Sequence, residues 1–192
     1  MPSLILASGS AYRRELLARL ALPFDWVSPD IDESALPTES APDRAIRLAL
    51  AKANVIAKRR PGGTVIGSDQ VCVCKGESLE KPGDADRART MLRWLSAATA
   101  TFHTAVAIVQ SDPAHCLQFV DTTTVYFRPL SDDEIQRYVD IEKPFDCAGG
   151  FRCEGLGIAL FNRMVSEDPT GLIGLPLIAL SRALRQIGFA IP

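Results

Sequence analysis

The stretch that most narrows what this 192-residue chain can fold into is Thr64 to Cys74. It is rich in valine, bounded by glycines and reads as a strand, yet it carries a carboxylate, Asp69. Alternation puts Asp69 on the face shared by Val65, Val71 and Val73. A charge there is costly unless it is hydrogen-bonded, paired or metal-bound. Lys81, a short loop downstream, is a candidate partner. The plain alternative to a functional acid is a buried structural ion pair.

Around that strand the pattern alternates. Leu4 to Leu6 is a short apolar strand, Ser8-Gly9-Ser10 breaks it, and a helix follows with Leu16, Leu17 and Leu20 at helical spacing. Phe24 to Val27 reads as a second strand and Pro29 to Pro37 as an acidic loop. Ser40, with Asp43 three residues on, opens a helix that Pro61-Gly62-Gly63 stops near Arg60. Further on come a helix from Ala85 to Leu95 and two β stretches, Thr101 to Val109 and Leu117 to Phe127, joined by a hairpin at Asp112-Pro113. The capping box Ser131-Asp132-Asp133-Glu134 starts a short helix. Cys147 to Phe161 is glycine-rich and reads as loop and strand, and a helix from Pro176 to Gln186 closes the chain. The pattern indicates an α/β fold with a mixed, twisted sheet and flanking helices.

Length implies one domain over residues 1–192, or one domain with two lobes. Hydrophobic residues make up 47% and charged residues 23%, which excludes a disordered or fibrous chain. With 21 basic and 23 acidic residues, the net charge of −2 gives no global positive field for a nucleic acid. No apolar run reaches the roughly 18–20 residues of a membrane span. The start, Met1-Pro2-Ser3-Leu4, lacks the features of a secretory signal, so a cytoplasmic location is expected. Cys72, Cys74, Cys116, Cys147 and Cys153 are odd in number and lack zinc-ligand spacing, so they read as small buried apolar side chains.

Two further features carry chemistry. At Ser8-Gly9-Ser10-Ala11-Tyr12-Arg13-Arg14 a strand ends and a helix begins with adjacent arginines. A helix N-terminus attracts anions and disfavours cations, so Arg13 and Arg14 are poorly placed unless an anion is present. The alternative is a serine cap with solvated arginines. Lys52 falls inside the apolar stripe Leu48, Ala49, Ala53, Ile56, where it either snorkels at the core edge or points an ammonium into a cleft. Asp32 and Glu33 lie in the acidic loop, and Glu33 with Asp69 offers the one or two carboxylates that hold a phosphate-bound Mg²⁺. Together these residues suit metal-assisted phosphoryl chemistry.

The same residues resemble the Maf-like family of nucleoside triphosphate pyrophosphatases. The matching pieces are Ser8-x-Ser10-x-x-Arg13-Arg14-x-Leu16-Leu17, Asp32-Glu33, Lys52-Ala53, Gly67-Ser68-Asp69-Gln70-Val71, Lys81-Pro82, Ala148-Gly149-Gly150-Phe151 and Gly174-Leu175-Pro176-Leu177. The resemblance implies a two-lobed α/β fold around a central cleft and a cytoplasmic homodimer. It also implies hydrolysis of a nucleoside triphosphate to monophosphate and diphosphate with a divalent cation, Mg²⁺ or Mn²⁺. Asp69, Lys81 and Arg13 become the catalytic candidates, with Asp69 as base. Ser8, Ser10, Arg13, Arg14, Lys52 and Lys81 become the phosphate contacts, and Glu33 with Asp69 the metal ligands.

Within the family the chain is similar to the 7-methyl-GTP branch, on Tyr12, Gln70 and the segment Cys153-Glu154-Gly155-Leu156-Gly157. A carboxylate at Glu154 can accept both N1–H and N2–H₂ of guanine. N7-methylation makes the base cationic, which favours Glu154 and stacking on Tyr12. The dTTP/UTP branch typically has glutamine where Glu154 stands. Glu80 stands where the family commonly has glycine, and Tyr12 where this branch often has tryptophan. Two alternatives stay open: the same chemistry on dTTP and UTP, and a nucleotide-binding regulator of cell division without turnover.

Overall fold

The computed structural model describes residues 3–111 and 114–192. Met1, Pro2 and the hairpin tip expected at Asp112-Pro113 lie outside the described residues. Twelve regular elements follow in order: β1 (Leu4–Ala7), α1 (Ala11–Ala18), β2 (Phe24–Val27), α2 (Ala41–Arg59), β3 (Thr64–Cys74), β4 (Glu77–Leu79), α3 (Ala85–Leu95), β5 (Thr99–Ser111), β6 (Ala114–Phe127), α4 (Asp132–Glu142), β7 (Phe161–Val165) and α5 (Leu177–Gln186). The strands form one mixed sheet in the order β2-β1-β3-β5-β6-β7, with β4 paired to β3. β1 runs parallel to both β2 and β3, whereas β3–β4 and β6–β7 are antiparallel. The expected α/β class and mixed sheet are what the chain adopts. No helix among the described residues is long and apolar enough to cross a membrane.

The chain divides into two compact units, the first comprising Met1–Gln70, Thr104–Asp121 and Asp168–Pro192, the second Val71–His103 and Thr122–Glu167. In the first, alternation along β3 sorts its residues onto two faces. Ile66 points into a core of Leu4, Leu6, Leu16, Leu17, Val106, Ile108 and Leu184. Val65 and Gly67 face the other way, where the backbone of α2 lies close over Gly67. The chain therefore passes from β1 through α1 to β2, then crosses the other face through α2 to β3. That reversal on either side of β1 makes a switch point, where α/β sheets bind ligands beyond the carboxyl ends of their strands. β1 ends at Ala7, opposite Gly67, so Ser68, Asp69 and Gln70 run on past it.

The second unit packs four phenylalanines edge to face, with ring centroids 5.1–5.4 Å apart: Phe102, Phe127 and Phe151 are buried and Phe161 is half-buried. Its helices add Leu92 and Leu95 from α3 and Ile135, Tyr138 and Val139 from α4. The capping box is present as expected: Ser131 Oγ accepts from Glu134 N–H at 3.3 Å, and the Glu134 carboxylate accepts from Ser131 N–H at 2.8 Å.

Two expectations need correction. Leu20 lies beyond the end of α1, although it still packs on the core. Residues 147–161 form 3-10 turns at Ala148–Gly150 and Leu156–Leu160, and the strand begins only at Phe161. The cause is side-chain anchoring: Tyr138 Oη accepts from Arg152 N–H at 3.0 Å, and Glu142 Oε2 accepts from Leu156 N–H at 2.7 Å. These bonds hold the backbone on α4.

Gly67 is required by the close approach of α2. A Cβ there would stand 2.1 Å from Ala49 O and 2.7 Å from Ala53 N, atoms of helix backbone that cannot rotate aside. Gly67→Ala is expected to destabilise the chain at or beyond the upper end of the about 1–3 kcal/mol range for overpacking. Urea unfolding measures it, and a loss of only a few tenths would mean that α2 retreats without cost.

Candidate active site

The acid singled out in β3 is buried and paired. Asp69 is 7% exposed and Lys52 only 6%, and Lys52 Nζ donates to Asp69 Oδ1 at 2.6 Å. Lys52 sits in the apolar stripe of α2 because Asp69 lies under it on the α2 side of β3. The partner expected at Lys81 is therefore corrected: the buried cation on Asp69 is Lys52. Geometry explains the difference. A helix crossing one face of a strand reaches the residues pointing at it, whereas proximity along the chain says nothing about faces.

Lys52 Nζ also meets Glu33 Oε1 at 2.7 Å, so one ammonium joins two carboxylates from different elements. Glu33 is the exposed member, its side chain 57% accessible. The loop that carries it is held to α2 by arginines. Arg44 Nη2 donates to Glu33 O at 3.1 Å and Arg47 Nη2 to Ser34 O at 3.0 Å, while Arg47 also pairs with Glu39. Hydrogen bonds from Ser34 hold the Asp32 carboxyl below its ordinary range.

The opposite face of β3 is wired to carbonyl oxygens. Ser68 Oγ donates to Gly174 O at 2.9 Å, and the same oxygen accepts from Arg13 Nε at 2.9 Å. Gln70 Nε2 donates to Leu172 O at 3.0 Å, Gly171 O at 3.2 Å and Thr104 Oγ1 at 2.9 Å. Gly174 has φ +126°, and a Cβ there would press on Arg13 Nε at 3.3 Å. Burial lowers the affinity of the Arg13 guanidinium for its proton, while the charges of Asp69 and Glu33 oppose that shift. Arg13, Lys52, Asp69 and Glu33 thus form one electrostatic group.

The remaining expected site residues fall as follows. Ser8 is buried and its Oγ accepts from Ser10 N–H at 3.1 Å, while Ser10 Oγ caps α1 by accepting from Arg13 N–H at 3.4 Å. Arg14 lies over the exposed ring of Trp26, 4.9 Å from its centroid. Tyr12 is half-buried on α1. Lys81 and Glu154 belong to the second unit, and both are exposed. Glu154 pairs with Arg152 at 3.5 Å and accepts from Cys153 Sγ at 3.4 Å.

Cys72 and Cys74 are buried as expected, but Cys116 is exposed and Cys147 and Cys153 are half-buried. Burial beside Glu154 pushes the Cys153 thiol up to about 12, away from thiolate chemistry. Sequence reading missed the carbonyls of Gly171 and Gly174, which are backbone groups with no residue signature. It also missed Asp168-Pro169-Thr170, whose turn-forming composition ahead of a helix was a legible signal.

A family model described as Maf-like protein matches residues 3–187. The chain is 55% identical over 192 residues, the whole of both chains, to the 7-methyl-GTP pyrophosphatase of Xanthomonas axonopodis pv. citri (strain 306). It is 52% identical over 189 residues, covering 98% of this chain and 97% of the relative, to the protein of that name from Aromatoleum aromaticum (strain DSM 19018 / LMG 30748 / EbN1). With the 7-methyl-GTP pyrophosphatase of Bordetella pertussis (strain Tohama I / ATCC BAA-589 / NCTC 13251) it shares 50% identity over 187 residues, 97% of this chain and 93% of the other.

The buried pair and its exposed third member differ in energy. Lys52→Met leaves Asp69 buried without its cation and is expected to cost about 3–5 kcal/mol in urea unfolding. Glu33→Ala removes a solvent-screened partner and is expected to cost under about 1 kcal/mol. Adding Asp69→Asn to Lys52→Met should recover part of the loss; a purely additive double variant would show that the two groups are not coupled.

Proposed function

Since the chain belongs to the Maf-like protein family, we propose that it is a nucleoside triphosphate pyrophosphatase that hydrolyses 7-methyl-GTP to the monophosphate and diphosphate. The single observation that carries the chemistry is the Lys52 ammonium joined to both Glu33 and Asp69. That arrangement holds an acid in place beside cations at the carboxyl end of β1. The substrate is supported by full-length relatives bearing that name at 50–55% identity.

In this reading Asp69 takes a proton from the attacking water. The water oxygen bonds to one phosphorus of the α–β anhydride, the bond from that phosphorus to the bridging oxygen breaks, and the bridging oxygen leaves with the other product. Arg13, Arg14, Lys52 and Lys81 offset the charge that builds on phosphate oxygens. Ser8 and Ser10, with the amides that open α1, hold the phosphate tail. Arg14 would exchange the Trp26 ring for a phosphate. Asp69 reaches this task already oriented by Lys52, which lowers the reorganisation needed during reaction.

The donor set fits a divalent cation. Two carboxylates from separate elements converge on one positive atom, and such hard oxygens suit Mg²⁺ or Mn²⁺. Among the described residues no three His, Cys, Asp or Glu side chains are grouped as a ligand cage. Glu33 and Asp69 would hold the ion, with phosphate and water oxygens completing its shell. Bound there, it would draw charge from the phosphate oxygens.

For the base, the reading keeps Glu154 as acceptor of the two guanine donors and Tyr12 as stacking partner. Gln70, whose amide is held by the Gly171 and Leu172 carbonyls, would influence specificity through that loop. Residues 1–192 would act as one catalytic domain, in a cytoplasmic homodimer, on the family resemblance.

Three experiments test this. Purified chain with Mg²⁺ or Mn²⁺ should release diphosphate from 7-methyl-GTP faster than from any canonical triphosphate. Release from dTTP and UTP alone would move it to the other branch, and binding without release would make it a regulator. Asp69→Asn should abolish turnover while largely sparing nucleotide binding, so wild-type turnover would remove the role of Asp69. Glu154→Gln should shift preference from 7-methyl-GTP toward dTTP and UTP in the same panel, and an unchanged ranking would detach Glu154 from base choice.

A further inference from the structure

The loop from Asp168 to Ile178 is closed into a ring by two side chains. The Asp168 carboxylate is 3% exposed. Its Oδ1 accepts from the Thr170 N–H at 2.9 Å and from the Thr170 hydroxyl at 2.6 Å, and its Oδ2 accepts from Ile178 N–H at 2.6 Å. Thr170 Oγ1 accepts in turn from Leu177 N–H at 2.8 Å. Leu177 and Ile178 begin α5, whose N-cap, Pro176, supplies no side-chain bond. Two side chains from earlier in the loop therefore satisfy two of the donors that a helix start leaves open, and a carboxylate at that positive end is favoured.

What the ring holds is more specific than a helix cap. Its carbonyls at Gly171, Leu172 and Gly174 accept from Gln70, Ser68 and Arg13. Ser68 and Gln70 flank Asp69 in β3, and Arg13 shares its electrostatic group. Backbone bonds inside the ring fix where those carbonyls point: Gly171 N–H donates to Asp168 O at 3.0 Å, and Gly174 N–H to Gly171 O at 3.0 Å. Moving this loop would release both neighbours of Asp69 and the guanidinium of Arg13 together.

We infer that Asp168, acting through Thr170 and the 171–174 carbonyls, is a positioning residue for the hydrolysis proposed above, on which the inference rests. Asp168 bonds to Thr170 and Ile178 and acts through the loop they close. It sets where the acceptors of Ser68, Gln70 and Arg13 stand.

The test compares Thr170→Val, Thr170→Ser and Asp168→Ala with wild type, reading kcat and KM for 7-methyl-GTP with Mg²⁺ alongside the melting temperature. Thr170→Val should lower kcat by about 100-fold, the scale of a misplacement of roughly 1 Å, with little change in KM. Thr170→Ser keeps the hydroxyl and should restore kcat; failure to do so overturns the inference. Asp168→Ala should act in the same direction as Thr170→Val. If it does not fold, the Thr170 pair decides. A role confined to stability would lower the melting temperature of Thr170→Val while leaving kcat per folded molecule unchanged, and that result overturns the inference. Should the wild-type chain release no diphosphate, the functional reading fails by itself, and positioning is judged on the Arg13 Nε–H resonance by ¹⁵N NMR. Loss of its exchange protection in Thr170→Val, with recovery in Thr170→Ser, supports positioning. Unchanged protection in Thr170→Val overturns it.

Discussion

The buried contact between Lys52 and Asp69 is the constraint around which the first unit is arranged. Two charges removed from water are tolerated only when each satisfies the other, and here Nζ and Oδ1 lie 2.6 Å apart with both residues almost inaccessible. That distance fixes the register of α2 on β3, and Gly67, two residues back on the same face, lets the helix backbone come close enough. A longer side chain at Gly67 would lift α2, separate the pair and leave an uncompensated charge. Packing and electrostatics therefore constrain the same interface. The third member, Glu33, adds little to folding because it is exposed. Its value lies in bringing a second carboxylate to the same cation.

β3 also separates two kinds of chemistry by alternation. Asp69 looks toward α2 and carries charge; Ser68 and Gln70 look the other way and hold neutral carbonyls. Side chains on opposite faces serve one region because Arg13 bridges them: it donates to Gly174 O on the Ser68 side while the charges of Asp69 and Glu33 act on it. The termination of β1 at Ala7 gives room for this. Past that point β3 has lost β1 as a neighbour, and Asp69 meets Lys52 of α2 while Ser68 and Gln70 reach the carbonyls of the 171–174 loop.

Much of this is legible in the amino-acid sequence. A lone acid in a valine-rich strand and a lysine inside an apolar helical stripe are each anomalous by local pattern, and local pattern is what sequence records. Their pairing was not legible. The nearer lysine in sequence, Lys81, competed with Lys52, and only the side of the sheet on which α2 packs separates them. Arg14 shows the same limit, since its placement over Trp26 depends on β2 lying beside β1. The loop from 171 to 174 was least visible, because its function resides in carbonyl oxygens that every residue possesses. The segment from 147 to 161 misled for a related reason: its glycines permit many paths, and tertiary anchors on Tyr138 and Glu142 choose among them.

The charge balance of the first unit bears on how a polyanion would be received. Arg13 and Lys52 contribute two positive charges, and Asp69 and Glu33 two negative ones, so the coupled group is formally neutral. A formally neutral group costs the fold little self-repulsion, whereas four cations there would repel one another and lower stability. The cost is a weak field for attracting a triphosphate, whose charge is strongly negative. In the proposed reaction, extra positive charge would come from outside the group, from Arg14, Lys81 and a divalent cation carried by the phosphates. Its arrival would give Glu33 and Asp69 a second cation to bind and free part of the Lys52 ammonium for phosphate oxygens. Under the proposed function, the pairing that stabilises the fold would also make affinity for the triphosphate depend on the metal it carries.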